Sequence, residues 1–127
     1  MLAEFRDYLK TLNVADHYYI GKLDNSKEKA LGLYSMGNLA PVEAVGKDSS
    51  YDIAGVRILL HWNKNAKESE KASRNLYSEI RYIQDQAMGD EHVFCFMPDD
   101  NEPTFIGTDD NNVYEYHIAG RLYYKRG

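Results

Sequence analysis

With Cys95 as its single cysteine in 127 residues, the chain can form no internal disulfide and no Cys-based zinc site. Such sparing use of cysteine fits a reducing compartment. Long apolar runs are also missing: the longest uncharged stretches extend over only a few residues, far short of the roughly 20 that span a bilayer. The opening MLAEFRDYLK is charged and helical in pattern, which is not the pattern of a signal peptide. Positive charge is scarce too. Fifteen Lys and Arg against twenty Asp and Glu leave a net charge of −5, a poor balance for gripping nucleic acid. What the chain does have is a 43% apolar and 28% charged composition, ordinary for a globular protein, so disorder is not its expected state. Its length suits a single domain over residues 1–127 with one core. The unusual component is tyrosine: eleven, against four Phe and one Trp. Rings with a polar tip in that number belong either to wide, half-buried sheet faces or to a surface that binds something.

Periodicity predicts the elements. Leu2, Phe5, Leu9 and Leu12 form one apolar face of a short helix that ends at Asn13. Alternation over His17 to Asp24 and again over Ala30 to Met36, with DNSKE between, predicts a hairpin. MGNLAP closes it, and a loop through GKDSS leads to the clearest strand, Tyr51 to Trp62. There Ala54, Val56, Ile58, Leu60 and Trp62 share one face, and Tyr51, Ile53, Arg57, Leu59 and His61 the other. Asn65, with Glu68 three residues on, reads as an N-cap. The stripe Ala72, Leu76, Ile80, Ile83 and Ala87 then predicts a helix of about six turns stopped by Gly89. His92 to Met97 is a short strand, Phe105 and Ile106 at most a stub, and GTDDNN a turn. In the last strand, Val113 to Lys125, Tyr114, Tyr116, Ile118, Leu122 and Tyr124 face one way. Glu115, His117, Arg121 and Tyr123 face the other. The expected class is mixed α/β (α+β) in the order α-β-β-β-α-β-β, two helices packed on one face of a largely antiparallel sheet.

Catalytic and metal-binding patterns are mostly missing. Cys95 lies within the apolar strand VFCFM, where a buried structural role is expected. His92, three residues before it, points to the opposite face of a regular strand. His17, His61, His92 and His117 form no H-x-H, H-x₃-H or H-E-x-x-H spacing that would put two imidazoles on one metal. The pairs Asp99-Asp100 and Asp109-Asp110 lack the alternation and closing Glu of a calcium loop, and read as turn formers. No Gly-rich phosphate loop occurs. KNAKESEKASR alternates in sign and reads as a solvated helix face with pairs such as Glu70 to Arg74. No catalytic residue, cofactor or metal is therefore expected.

The tyrosines point elsewhere. Tyr18-Tyr19 and Tyr123-Tyr124 put rings on both faces of their strands, and Tyr51 and Trp62 bracket the central one. A sheet covered by helices on one side has one dry face. Rings on the other must pack on a partner or lie shielded by long side chains, and a subunit interface is the favoured reading.

A resemblance adds to this. VRILLHWNKN (Val56 to Asn65) is followed on the long helix by Glu68, Glu70, Ala72 and Tyr77. Downstream come Pro103, Ile106-Gly107-Thr108-Asp109, Tyr114-Glu115-Tyr116 and Leu122-Tyr123-Tyr124. In these residues and in the order of elements over about residues 1 to 125, the chain resembles the small minor capsid or tail terminator proteins of long-tailed bacteriophages. The first 45 residues match in pattern alone. The resemblance implies a non-enzymatic virion protein, made in the host cytoplasm. It would assemble as a hexameric ring on the head-proximal end of the tail tube. Its partners would be further copies of itself, the tail tube protein and a head-completion protein, with DNA passing through unbound. No membrane is involved. A net acidic chain suits that passage, because phosphates are repelled. The interface residues then expected are Tyr19, Arg57, His61, Glu115, His117, Arg121 and Tyr123, from the less apolar strand faces. The loop carboxylates Asp99, Asp100, Asp109 and Asp110 complete the set, lining the passage or meeting the next ring. Alternatives are a head-completion or connector protein of the same virion, a host cytosolic binding module, and a small α/β ligand-binding or hydrolytic domain using His61, His117 and the carboxylates.

Overall fold

The computed structural model describes residues 1–38 and 51–126. The loop expected through GKDSS, and the end of MGNLAP before it, lie outside the described residues. The order is α1 (Leu2–Leu12), β1 (His17–Ile20), β2 (Ala30–Asn38), β3 (Asp52–His61), α2 (Ala66–Arg81), β4 (Gln84–Met88), β5 (Glu91–Pro98), β6 (Thr104–Thr108) and β7 (Tyr114–Arg126). Seven strands form one sheet in the order β1-β2-β3-β7-β5-β4, and β6 also pairs with β7. Every pairing is antiparallel except β1 with β2. The mixed α+β class with a largely antiparallel sheet is therefore as expected, with two additional strands. Among the described residues no helix is long and apolar enough to cross a membrane.

One face of the sheet is dry. Leu31 and Leu33 of β2, Val56, Ile58 and Leu60 of β3, and Ile118 and Leu122 of β7 meet Phe5 and Leu9 of α1 and Leu76, Tyr77 and Ile80 of α2 in one buried cluster. Each such aliphatic side chain taken out of water contributes about 1.5–3 kcal/mol. Phe5 stacks on Phe96 with ring centroids 6.2 Å apart, which ties α1 to β5. Asn13 stops α1 in the left-handed conformation, φ 53°, its N–H donating to Lys10 O at 3.1 Å. Asn65 caps α2 as expected, accepting from the Glu68 N–H at 3.0 Å.

The structure departs from the sequence pattern in three places. β1 and β2 are parallel, not a hairpin. Gly21, at φ 73°, turns the chain back, and residues 21–29 return it to the start of β2. Leu23 lies over Gly32, where a Cβ would come within 3.3 Å of its methyl group, so this loop crosses the face of the sheet that has no helix. Secondly, α2 ends at Arg81, and Gln84–Met88 is a strand. Gly89, at φ 62°, sits instead in the tight turn between paired Met88 and Glu91. Ile83 and Ala87 extended the helical spacing by coincidence: Met88 is buried there and Ala87 is exposed. Thirdly, the β6 stub is a full strand of five residues.

β5 and β6 share one side of β7, β6 along Tyr114–His117 and β5 along Gly120–Arg126. At the changeover the backbones approach so closely that a Cβ on Gly120 would lie 2.6 Å from both Met97 O and Phe96 Cζ. Gly120→Ala is expected to cost about 3 kcal/mol, near the upper end for overpacking, because the nearest atom is rigid backbone. A urea midpoint that falls accordingly with unchanged slope will show it; an unchanged midpoint refutes the close approach.

Candidate functional site

The side of the sheet opposite the helices carries most of the expected interface residues. Arg57 of β3 pairs with Ala119, so His117 and Arg121 of β7 are its diagonal neighbours on one face, about 7–8 Å away between backbones. Tyr123 lies one pair further along that face, and Tyr19 of β1 lies beyond β2, opposite Gly32. Arg57 is exposed; Tyr19, His117, Arg121 and Tyr123 are half-buried. The Arg121 guanidinium stands over the Tyr123 ring at 5.9 Å, a cation–π contact. Tyr51 contacts the rings of Tyr123 and Phe94 at 6.0 and 6.4 Å, and His92 meets Phe94 at 5.0 Å. The polar groups here are not all satisfied. His117 Nδ1 and Arg121 Nε are buried without a hydrogen-bond partner, a state that costs about 1–3 kcal/mol per group. Burial, followed by the Arg57 guanidinium, holds the His117 imidazole below its usual value of 6.5, with Asp100 opposing.

His61 departs from expectation. Placed on this face by alternation, it is fully buried and offers nothing to a partner. Its Nδ1 is 3.0 Å from Glu115 Oε2, and its Nε2 lies 3.2 Å from Asn25 O and 3.6 Å from Asp109 Oδ2. The returning loop of residues 21–29 covers the ring from above, a covering that strand alternation cannot anticipate. Asp109 Oδ1 meanwhile accepts from the N–H groups of Asn111 and Val113, at 2.9 and 3.0 Å, forming the expected turn. Four chain segments thus meet on one imidazole. His61, Glu115 and Asp109 form a structural clasp, and a buried polar ring needs such partners.

Of the other carboxylates, Asp99, Asp100 and Asp110 are exposed in turns. Asp99 donates its N–H to Ala119 O at 2.9 Å, and Asp100 O accepts from the Tyr77 hydroxyl at 2.8 Å, so the first turn is held by backbone. Cys95 is half-buried, not fully buried, and burial followed by Asp85 pushes its thiol upward, away from the reactive thiolate. A bulge between Val93 and Cys95 also revises the strand geometry. His92 pairs with Lys125 and Cys95 with Tyr123, two positions apart on β7 and hence on one face. Among the described residues no group of three or more His, Cys, Asp or Glu is placed to hold a metal ion. A cavity of about 220 Å³ between α2 and β6 is lined by Arg74, Glu70, Glu102 and Tyr116 and contains no histidine.

Alternation missed Met97, which is 47% exposed on the same face as Arg121, its partner on β7. The bulge shifts it there, and the sequence carries no separate signal for that bulge. No protein-family model matches the chain and no curated protein is similar to it.

Two outcomes test this arrangement. His61→Leu keeps the bulk but leaves the Glu115 and Asp109 carboxylates without their ring, and is expected to cost about 2–3 kcal/mol in urea unfolding. A double-mutant cycle with Glu115→Gln should give a coupling of about 1 kcal/mol; additivity would separate the two residues energetically. His117 gives the second. Its folded value lies below 6.5, so the unfolded chain takes up a proton first as pH falls. Stability from this group is therefore complete above about pH 6.5 and lost on acidification. His117→Gln should make the urea midpoint less sensitive to lowering the pH from 7.5 to about 5.5, and an unaltered pH slope refutes it.

Proposed function

We propose that this protein is a virion structural protein of a long-tailed bacteriophage. In this reading it acts as a tail terminator that closes into a homo-oligomeric ring at the head-proximal end of the tail tube. The observation that carries the reading is the helix-free face of the sheet. There Tyr19, Arg57, His117, Arg121 and Tyr123 lie together with Met97, and two buried polar atoms lack partners. A face of that kind is completed by another protein surface: its rings gain contacts, and its open donors gain acceptors. The resemblance of VRILLHWNKN, the helix after it and the Ile106-Gly107-Thr108-Asp109 run to minor capsid and tail terminator proteins gives the reading its identity. The net charge of −5 fits a protein that stands around DNA without holding it. The ring is expected to be hexameric, and to bind the tail tube below and a head-completion protein above.

Hydrolytic chemistry has weaker support. His61 is enclosed, and His117 faces an open sheet surface. The two imidazoles do not line the cavity in which carboxylates meet. Convergence on a pocket is what general acid–base work requires.

Electron microscopy of particles made without this protein tests the reading. Overlong tails are expected of a lost terminator. Full heads that leak DNA, beside tails of normal length, would assign the connector role instead. Particles of normal form would remove the protein from the head–tail joint.

A further inference from the structure

Two guanidinium groups on the helix-free face have no anion to answer them. Among the described residues, neither Arg57 nor Arg121 forms an ion pair with any carboxylate. Composition does not force this, since the chain carries twenty Asp and Glu against fifteen Lys and Arg. Two carboxylates that reach this side are already taken: Glu115 holds His61 at 3.0 Å, and Asp85 holds His92 at 3.2 Å. Beside the arginines, His117 Nδ1 and Arg121 Nε are shut off from water without a partner. Buried polar atoms are normally paired, so both call for an explanation.

Sheet register fixes how the three groups stand to one another. Arg57 pairs with Ala119, and His117 and Arg121 lie on either side of Ala119 along the same face of β7. They form a triangle around one methyl group, with Arg57 about 7–8 Å from each of the others between backbones. Burial, and then the Arg57 charge, hold the His117 imidazole below its usual value, so Arg57 and His117 sense each other directly. Asp100 opposes this more weakly. Its turn leans to the helix side, where Asp100 O accepts from the Tyr77 hydroxyl, and exposed Asp99 and Asp100 pair with neither arginine. The rim is apolar and aromatic. Tyr34 pairs with Arg57, Met97 pairs with Arg121, and the Tyr123 ring lies under the Arg121 guanidinium at 5.9 Å.

We propose that this triangle is a binding site for a carboxylate side chain of a protein partner, an Asp or Glu placed between Arg57 and Arg121 with His117 alongside. The site rests on the reading that another protein surface completes this face, and it names the chemistry of that surface. A guanidinium takes a carboxylate through two parallel N–H donors, which a neutral side chain cannot match. Tyr34, Tyr123 and Met97 suit the apolar stem that carries such a group. A phosphate backbone fits less well. Holding DNA takes a row of cations along several phosphates, and here two arginines stand in a chain of net charge −5.

Fluorescence titration of the full chain with a dye-labelled hexaglutamate peptide tests this, beside hexalysine and a short DNA duplex. Hexaglutamate is expected to bind at least tenfold more tightly than either. Its binding should weaken at least fivefold as salt rises from about 0.05 to about 0.5 M. The His117 imidazole resonances should shift in NMR spectra as the peptide is added. Arg57→Gln, at an exposed position, should weaken the peptide at least fivefold while Tm stays unchanged. Peptide binding undiminished by Arg57→Gln would overturn the site, and so would the absence of peptide binding. A duplex held as tightly as hexaglutamate, and released by the same variant, would give the face to nucleic acid and overturn it too. Tail length in particles lacking the protein decides the terminator reading separately. Tails and heads of normal form beside a tight, Arg57-dependent peptide complex would remove that reading and keep the site.

Discussion

The main-chain ladder along β7 is the interaction on which the other elements depend. β7 pairs with β3 over ten residues on one side and is shared by β6 and β5 on the other. Through β3 it places β2 and β1; through β5 it places β4. Its core-facing side chains, with Ile118 and Leu122 at the centre, belong to the one buried cluster that both helices join. Where β5 ends against β7 the approach is close because Gly120 has no side chain: a Cβ there would meet Met97 O and Phe96 Cζ, both of β5.

From that ladder follows the division of the sheet into two chemically different faces. Both helices pack against the same side, so the other side must be stable with water, loop or partner upon it. The chain uses more than one solution. The loop of residues 21–29 crosses part of the face and is held by the His61 clasp with Glu115 and Asp109. The remainder is filled by amphipathic side chains, tyrosine and arginine above all, whose apolar bodies lie on the sheet and whose tips reach outward. Cys95, with its thiol pushed upward, and Met97 belong to this uncovered part.

Much of this was legible in the sequence where one period and one chemistry acted together. α1, β3 and β7 have clear alternation or helical stripes, and Asn13 and Asn65 sit where asparagine stops or starts a helix. Reading failed where two signals overlapped. Ile83 and Ala87 continued the helical spacing past Arg81, although Gly89-Asp90 is itself a good two-residue hairpin turn. It failed again where the answer was long-range. No local pattern distinguishes a parallel return from a hairpin over residues 17–36, and the deciding contacts are with Trp62, whose carbonyl accepts from the Lys29 N–H at 2.7 Å, and with His61. Face membership from alternation held for Arg57, His117, Arg121 and Tyr123. For His61 the face was right and the exposure wrong, because a loop distant in sequence covers it.

The position of β7 in the chain has a kinetic consequence. It follows all six other strands yet lies between two of them, so the β1-β2-β3 unit and the β4–β5 hairpin cannot join until it inserts. Few of the sheet's decisive pairings are local, and β3 must wait across more than fifty residues for its partner. Closing loops of that length slows folding and leaves the edges of β3 and β5 open in the meantime. While they wait, those two edges can be mistaken for each other's partner or for a neighbouring chain's, a hazard that grows with concentration during synthesis.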